Sequence, residues 1–236
     1  MELKFCDDGK ILIVSPHPDD ESIGCGGLMK LYGKRVDVLL LTDGRKGTCS
    51  YVKDNEIIHT RYSEFCNAME KAQISDFHCL NIPEGDIFRH KKIIKQFNWK
   101  KYKYIFVPNK HESHPDHRAT YSVIKSIINL NSQELYQYEV WTPNLYPDTF
   151  LDISSVISEK AKIISCYASQ LENINYTERI CGLNRFRCSN LGKRDGCKYV
   201  EAYKKTEKFG KYLIKCIYHT LPIRTQLYLS KKLKKG

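Results

Sequence analysis

The feature that most constrains the fold is a regular alternation of short apolar runs with longer amphipathic segments. The apolar runs, predicted as strands, lie at 10–14, 36–41, 77–82, 102–107 and 136–141. The segments predicted as helices lie at 21–32, 57–72, 87–97, 115–128, 153–167 and 178–188. Strands as short and apolar as these are typical of parallel strands buried on both faces. The alternation therefore predicts an α/β fold, a parallel sheet with helices on both faces.

Two clusters of histidines and acids follow predicted strands. The first, Pro16-His17-Pro18-Asp19-Asp20-Glu21, comes directly after the first strand, and the second, His111-Glu112-Ser113-His114-Pro115-Asp116-His117, follows the fourth. In helix-covered parallel sheets, ligands bind beyond the carboxyl ends of the strands. Because both clusters fall at that edge, we expect them to meet. Adjacent carboxylates repel one another, and a bound cation is the simplest reason for a fold to keep them together.

Together the clusters offer the ligand set of a catalytic metal site. His17, Asp20 and His117 supply two imidazoles and one carboxylate, which suits zinc and leaves a position for water. Ferrous iron accepts the same ligands. Each cluster also has a plain structural alternative, an acid-capped helix start for the first and surface histidines for the second. Their shared position at one sheet edge favours the metal site.

The remaining polar residues of the clusters suggest roles beside the metal. Neighbouring residues in an extended loop point apart, so Asp19 would face the water and serve as general base. His114 would stabilise a developing oxyanion or protonate a leaving amine. Asp116 would orient one of the histidines. These residues predict hydrolytic chemistry.

The pair of motifs Pro16–Glu21 and His114–His117 resembles the PIG-L/LmbE-like zinc-dependent N-deacetylases. Other positions similar to that family are Thr42-Asp43-Gly44, Gly47, Arg61, Glu64, Asp152-Ile153-Ser154, Tyr167, Ser169-Gln170, Leu183-Asn184-Arg185 and Glu201-Ala202-Tyr203. The resemblance covers residues 1–203 and implies a Rossmann-like α/β domain. It also implies removal of the N-acetyl group from an N-acetylglucosamine-type sugar in a glycoconjugate.

The resemblance implies roles for individual residues as well. It implies that zinc is held by His17, Asp20 and His117, with Asp19 as the base and His114 polarising the reaction intermediate. It implies that Arg61 contacts the substrate. Glu84 stands where the family often has an aspartate near the sugar, and we count it as a second predicted substrate-binding residue.

The positive charge is concentrated at the carboxyl end of the chain. The net charge is +11, and from Tyr203 to Gly236 nine lysines and one arginine face a single acid. Residues 204–236 are therefore predicted to form a basic amphipathic helical tail. Such a tail can lie on an anionic membrane surface, which would fit a lipid- or phosphate-linked sugar. Its apolar side can equally pack on the core or form a dimer.

Other features bear on compartment and on competing functions. The cysteines are scattered without a CxxC pair, the first residues are not typical of a signal peptide, and no apolar run approaches a membrane span. We therefore expect a cytoplasmic protein, with peripheral contact at the inner membrane face as an open alternative.

Hydrolysis of another N-acyl amide or an ester is the second functional hypothesis. A non-catalytic protein binding phosphate or nucleic acid is the third, disfavoured because the basic residues lie away from the ligands.

Overall fold

The computed structural model describes residues 1–47, 49–50, 52–53, 56–172, 174–192 and 196–207. Residues Met1–Lys205 form one compact unit. The predicted tail lies outside the described residues, apart from its first four positions. Its first two residues, Lys204 and Lys205, belong to the last strand. None of the described helices combines the length and the apolarity that crossing a bilayer requires.

In the described part of the chain, seven strands form one sheet in the order β3-β2-β1-β4-β5-β7-β6. The strands are β1 (Lys10–Ser15), β2 (Val36–Thr42), β3 (Phe77–Ile82), β4 (Tyr102–Pro108), β5 (Glu134–Tyr138), β6 (Thr149–Asp152) and β7 (Val200–Lys205). The predicted α/β fold is confirmed, and β1 to β5 pair in parallel. The sheet is nevertheless mixed, because β7 runs antiparallel to both β5 and β6.

The helices are α1 (Asp20–Tyr32), α2 (Ile57–Ala72), α3 (Lys91–Gln96), α4 (Pro115–Ile127), α5 (Ile157–Ile164), α6 (Ala168–Leu171) and α7 (Tyr176–Arg187). Most of them match the predicted helices to within a few residues. Two are shorter than predicted: residues 87–90 form turns before α3, and a 3₁₀ turn at Ser154–Val156 precedes α5. The fifth strand runs from Glu134 to Tyr138 instead of 136–141, so it begins two residues earlier and ends three residues earlier than predicted.

Helices cover both faces of the sheet, as predicted. On β1, Ile11 and Ile13 belong to a core cluster shared with α1, α2 and α5. The alternate residues, Leu12 and Val14, belong to a second cluster shared with α3 and α4. Because successive side chains of a strand point to opposite faces, one strand contributes to both cores. The sheet edge that carries the two histidine clusters thus rests on a scaffold packed from both sides.

The glycines at the start of α1 permit a close approach between helix and sheet. A Cβ atom added at Gly24 would lie 2.2 Å from Tyr138 Cδ2, and one added at Gly27 would lie 2.3 Å from Ile153 Cγ2. Any side chain at these positions would force α1 away from its neighbours. The glycine-rich stretch therefore serves packing, and it fixes the first turn of α1 above the end of β1.

A buried ion pair joins the parallel half of the fold to its antiparallel edge. The Lys160 side chain is completely buried, with Nζ 2.7 Å from Glu201 Oε1 and 3.0 Å from Asn184 Oδ1. Glu201 also accepts hydrogen bonds from the amides of Gly27 and Leu28. One carboxylate thereby connects α1, α5 and β7.

We predict that Glu201→Ala strongly destabilises the fold, because it leaves the Lys160 ammonium buried without its counter-charge. The free energy of unfolding should fall by about 3–5 kcal/mol. Arg89→Ala is the control, since it removes an exposed ion pair with Asp86 and should cost less than about 1 kcal/mol. Urea denaturation followed by circular dichroism measures both. Equal losses in the two variants would contradict the structural role of the buried pair.

Candidate active site

The two predicted clusters meet at the carboxyl edge of the sheet. The first cluster occupies the connection from β1 to α1, and the second precedes and opens α4. β1 and β4 are paired neighbours, so the two connections emerge side by side. His17, Asp19, Asp20 and His114 line one pocket of about 320 Å³. His117 lies beside it and contacts His17.

Three donor atoms form a tight triangle next to this pocket. His17 Nδ1 lies 3.1 Å from Asp20 Oδ2 and 3.2 Å from His117 Nε2, and the distance from His117 Nε2 to Asp20 Oδ2 is 3.1 Å. All three side chains are buried. Ligands at about 2.0–2.1 Å from a tetrahedral cation are separated by roughly 3.3–3.4 Å. The triangle therefore fits a divalent cation bound by these three residues.

The charges around the triangle also favour a cation. Burial lowers the pKa of His17, but hydrogen bonds with Asp116 and Asp20 outweigh it and raise that pKa to about 9. Burial likewise lowers the pKa of His117, and the Asp20 charge raises it to about 10. Burial raises the pKa of Asp20, yet the two histidines hold it well below its ordinary value. The buried Asp20 carboxylate thus requires positive charge beside it, which imidazolium groups or a metal ion can provide.

Carboxylates stand behind both imidazoles, on the side away from the triangle. Asp116 Oδ2 lies 3.2 Å from His17 Nε2 and accepts the Gly85 amide at 2.8 Å. Glu112 Oε2 lies 3.7 Å from His117 Nδ1, and neither atom has a hydrogen-bond partner among the described residues. Outer carboxylates of this kind orient metal-binding histidines. Asp116 contacts His17, one of the histidines that it is predicted to orient, and the orienting role stays a prediction.

Glu112 is a residue that the sequence reasoning did not assign. Its other oxygen, Oε1, accepts the amides of Val140, Trp141 and Thr142 at 3.0–3.1 Å. These bonds turn the backbone away from the sheet and explain why β5 ends before residue 141. The only sequence signal was the proximity of Glu112 to the histidines, which says nothing about its partners across the fold.

Asp19 lines the pocket beside the triangle and is not one of the three residues that form the triangle. Its backbone φ is 130°, in the region that favours glycine and strains other residues. Burial raises the pKa of Asp19 to about 8, although the Arg61 guanidinium opposes this shift. Arg61 Nη2 lies 3.3 Å from Asp19 Oδ2. Asp19 is thus a carboxyl group held apart from the three triangle residues, with a pKa near neutral pH.

The two predicted substrate-binding residues both line the pocket. Arg61 donates hydrogen bonds to the carbonyls of Gly44 and Pro18, each at 2.9 Å, and so connects the loops that follow β1 and β2. Glu84 accepts the Lys46 amide at 2.9 Å, and its Oε2 lies 3.9 Å from Arg61 Nη1. Glu84 also reaches the metal triangle, because its Oε1 lies 3.7 Å from His17 Nε2.

His114 caps the start of α4 through its ring. Its Nδ1 accepts the amide of Asp116 at 3.2 Å, so the proton of the neutral ring resides on Nε2. Burial lowers the pKa of His114, which keeps the ring neutral. The ring packs edge-on against those of His17 and Trp141, with centroids 4.6 and 5.7 Å away. His114 is therefore placed to donate a hydrogen bond.

Further pocket residues come from segments to which the sequence reasoning gave no role. Trp141 follows β5, Tyr176 begins α7, and Lys46 lies in the loop after β2; all three line the pocket. They lie far from both motifs in the chain, and no local pattern marks them. Only the tertiary fold brings them to the site.

Comparison with known families agrees with this geometry. The family model for PIG-L, GlcNAc-PI de-N-acetylase, matches residues 12–128, a range that contains every predicted site residue. The chain belongs to the PIG-L family. Diacetylchitobiose deacetylase from Thermococcus kodakarensis is 29% identical over 191 residues, which cover 70% of this chain and 72% of that protein.

Solved structures of the same fold include enzymes with different reactions. N,N'-diacetylchitobiose deacetylase from Pyrococcus horikoshii has a TM-score of 0.69 at 22% identity, covering 84% of this chain and 83% of that one. GalB, the 4-carboxy-2-hydroxymuconate hydratase from Pseudomonas putida, has a TM-score of 0.68 at 19% identity, covering 85% and 97%. These likenesses confirm the fold alone, so the reaction must be argued from the site.

We predict that Glu112→Gln weakens metal binding while preserving the fold. The amide oxygen of glutamine can still accept the three backbone amides, but the carboxylate behind His117 is lost. Affinity for Zn²⁺, measured by competition with a chromogenic chelator, should fall about 10- to 100-fold. The melting temperature of the metal-free protein should change little. Unchanged Zn²⁺ affinity would contradict an orienting role for Glu112.

Proposed function

We propose that this PIG-L protein is a metal-dependent hydrolase that removes the N-acetyl group from an N-acetylglucosamine-type sugar in a glycoconjugate. The observation that carries the proposal is the triangle of His17, Asp20 and His117 with the Asp19 carboxyl held beside it in the same pocket. The match to the GlcNAc-PI de-N-acetylase family model and the similarity to a diacetylchitobiose deacetylase support an acetylated amino sugar as substrate.

The triangle would hold zinc, and ferrous iron suits the same donors. When bound, the ion polarises the amide carbonyl and lowers the pKa of a water molecule in the pocket. Asp116 and Glu112 keep the two imidazoles directed toward the ion from behind. A divalent ion held by two neutral imidazoles and one carboxylate would retain one positive charge, which favours the developing negative charge of amide hydrolysis.

Asp19 and His114 perform the proton transfers and the charge stabilisation. Asp19 accepts a proton as water adds to the acetyl carbon, and it returns that proton to the nitrogen as the carbon–nitrogen bond breaks. His114 donates the hydrogen on Nε2 to the developing oxyanion. Arg61 keeps the Asp19 side chain in place. The products are acetate and a free amino sugar.

Acetate release tests the function. We expect acetate from at least one of free N-acetylglucosamine and its nucleotide-, phosphatidylinositol- and thiol-linked conjugates, lost after chelation and restored by Zn²⁺ or Fe²⁺. Asp19→Asn should lower kcat by about 10²–10⁴-fold and retain metal, whereas His117→Ala should lose metal. Asp8→Asn, an exposed carboxylate away from the pocket, is the control. Full turnover by Asp19→Asn, or acetate release that survives chelation, would contradict the mechanism.

The amino-acid sequence of the basic tail suggests a finer substrate class and location. We propose a lipid- or phosphate-linked sugar at the cytoplasmic membrane face, with residues 204–236 contacting anionic lipid. The full chain should co-sediment with vesicles containing phosphatidylserine and remain in solution with phosphatidylcholine vesicles. A chain ending at Glu207 keeps the compact unit and should stay in solution with both. Equal co-sedimentation of the two chains with the phosphatidylserine vesicles would contradict a membrane contact through the tail.

A further inference from the structure

A second cavity adjoins the pocket at the metal triangle. Its volume is about 410 Å³, and three residues, Trp141, Ile174 and Tyr176, line both spaces. Ser113, which directly precedes His114, also lines it. The second cavity therefore borders the reacting groups, and a molecule that reaches His114 can extend into it.

The two spaces differ in chemistry. The residues that line only the pocket at the triangle include Lys46, Arg61, Glu84 and Gln170, all with polar side chains. The residues that line only the second cavity are mostly apolar: Ile23, Val140, Pro143, Ile180 and Leu183, with Ser113 and Arg179 as the polar members. His17 and Asp20 of the metal triangle line the polar compartment, and the apolar compartment adjoins it at Trp141, Ile174 and Tyr176.

An N-acyl amino sugar likewise has a polar part on one side of its amide bond and an apolar part on the other. The amine side is a sugar whose hydroxyls need hydrogen-bond partners, and these are available from the polar compartment. The acyl side is hydrocarbon, which gains free energy when it leaves water for an apolar cavity. With the amide at the triangle and the sugar on the polar side, the acyl group faces the second cavity. An acetyl methyl group would fill only a small part of it.

We propose that the apolar cavity binds the hydrocarbon chain of an N-acyl group longer than acetyl, so that the protein is an N-deacylase for medium-length acyl chains on amino sugars. This inference rests on the proposed amide hydrolysis and extends it to a different acyl group. The reaction is balanced by water alone. Water supplies the oxygen that bonds to the acyl carbon, the carbon–nitrogen bond breaks, and the amine nitrogen takes both protons of the water, giving a carboxylate and the amino sugar as its ammonium ion.

The test uses the metal-loaded full-length chain and a series of glucosamines that carry N-acetyl, N-butanoyl, N-hexanoyl and N-octanoyl groups. Glucosamine release gives one readout for all of them. We expect kcat/KM to rise by roughly two- to fourfold for each methylene that enters the cavity. A parallel series, alkyl N-acetylglucosaminides of increasing aglycone length, should show no such rise.

Variants at Leu183, a half-buried residue of the cavity wall, locate the effect. Leu183→Trp fills the cavity and should lower the octanoyl-to-acetyl ratio of kcat/KM by at least about tenfold. Leu183→Ala enlarges the cavity and should shift the preference toward longer chains. Phe186→Trp is the matched control on the same helix, because Phe186 is 67% exposed and does not line the cavity. It should retain both the ratio and the basal activity.

Three results would overturn the inference. A kcat/KM that stays flat or falls from acetyl to octanoyl, with acetyl hydrolysed, removes the acyl site and leaves the proposed function standing. A rise with aglycone length that Leu183→Trp abolishes assigns the cavity to the aglycone instead. Failure of the metal-loaded protein to release glucosamine or acetate from any substrate overturns both proposals together.

Discussion

The buried charge of Asp20 is the interaction on which the arrangement of the site depends. A carboxylate removed from water needs compensating charge and hydrogen bonds, and here both come from imidazoles on two separate elements. His17 arrives on the same loop, whereas His117 comes from the first turn of α4. The fold must therefore hold the ends of β1 and β4 together. The glycine contacts of α1 and the two-sided core of the sheet provide that rigidity.

Three consecutive carboxyl groups acquire different properties from this framework. Asp20 faces the imidazoles and stays ionised, whereas burial raises the pKa of Asp19 against the opposing charge of Arg61. Glu21 is fully buried in the first turn of α1, where it accepts hydrogen bonds from the hydroxyls of Ser15 and Tyr167. The sequence reasoning took Glu21 for a residue that starts the helix. Glu21 does lie in the first turn of α1, as predicted. Its hydrogen bonds also connect that turn to Ser15 and Tyr167 next to the site.

Much of the fold and the site could be predicted because the signals were local. Short apolar runs marked the parallel strands, and the two motifs placed their histidines and acids at the ends of neighbouring strands. The short, partly polar β6 and β7 escaped detection because pairing, and not apolarity, defines them. The ion pair of Glu201 with Lys160 allows a charged residue to lie inside β7. Glu112 and Trp141 likewise gain their roles from contacts between segments distant in the chain, which periodicity cannot reveal.

The left-handed backbone at Asp19 has a consequence for the evolution of the site. A side chain at this φ costs about 1–3 kcal/mol, and glycine would remove both the strain and the carboxylate. Selection for thermal stability alone would therefore favour loss of the acid at this position. The strain therefore lies at the position proposed for the general base, and stabilising designs of this protein should leave position 19 unchanged.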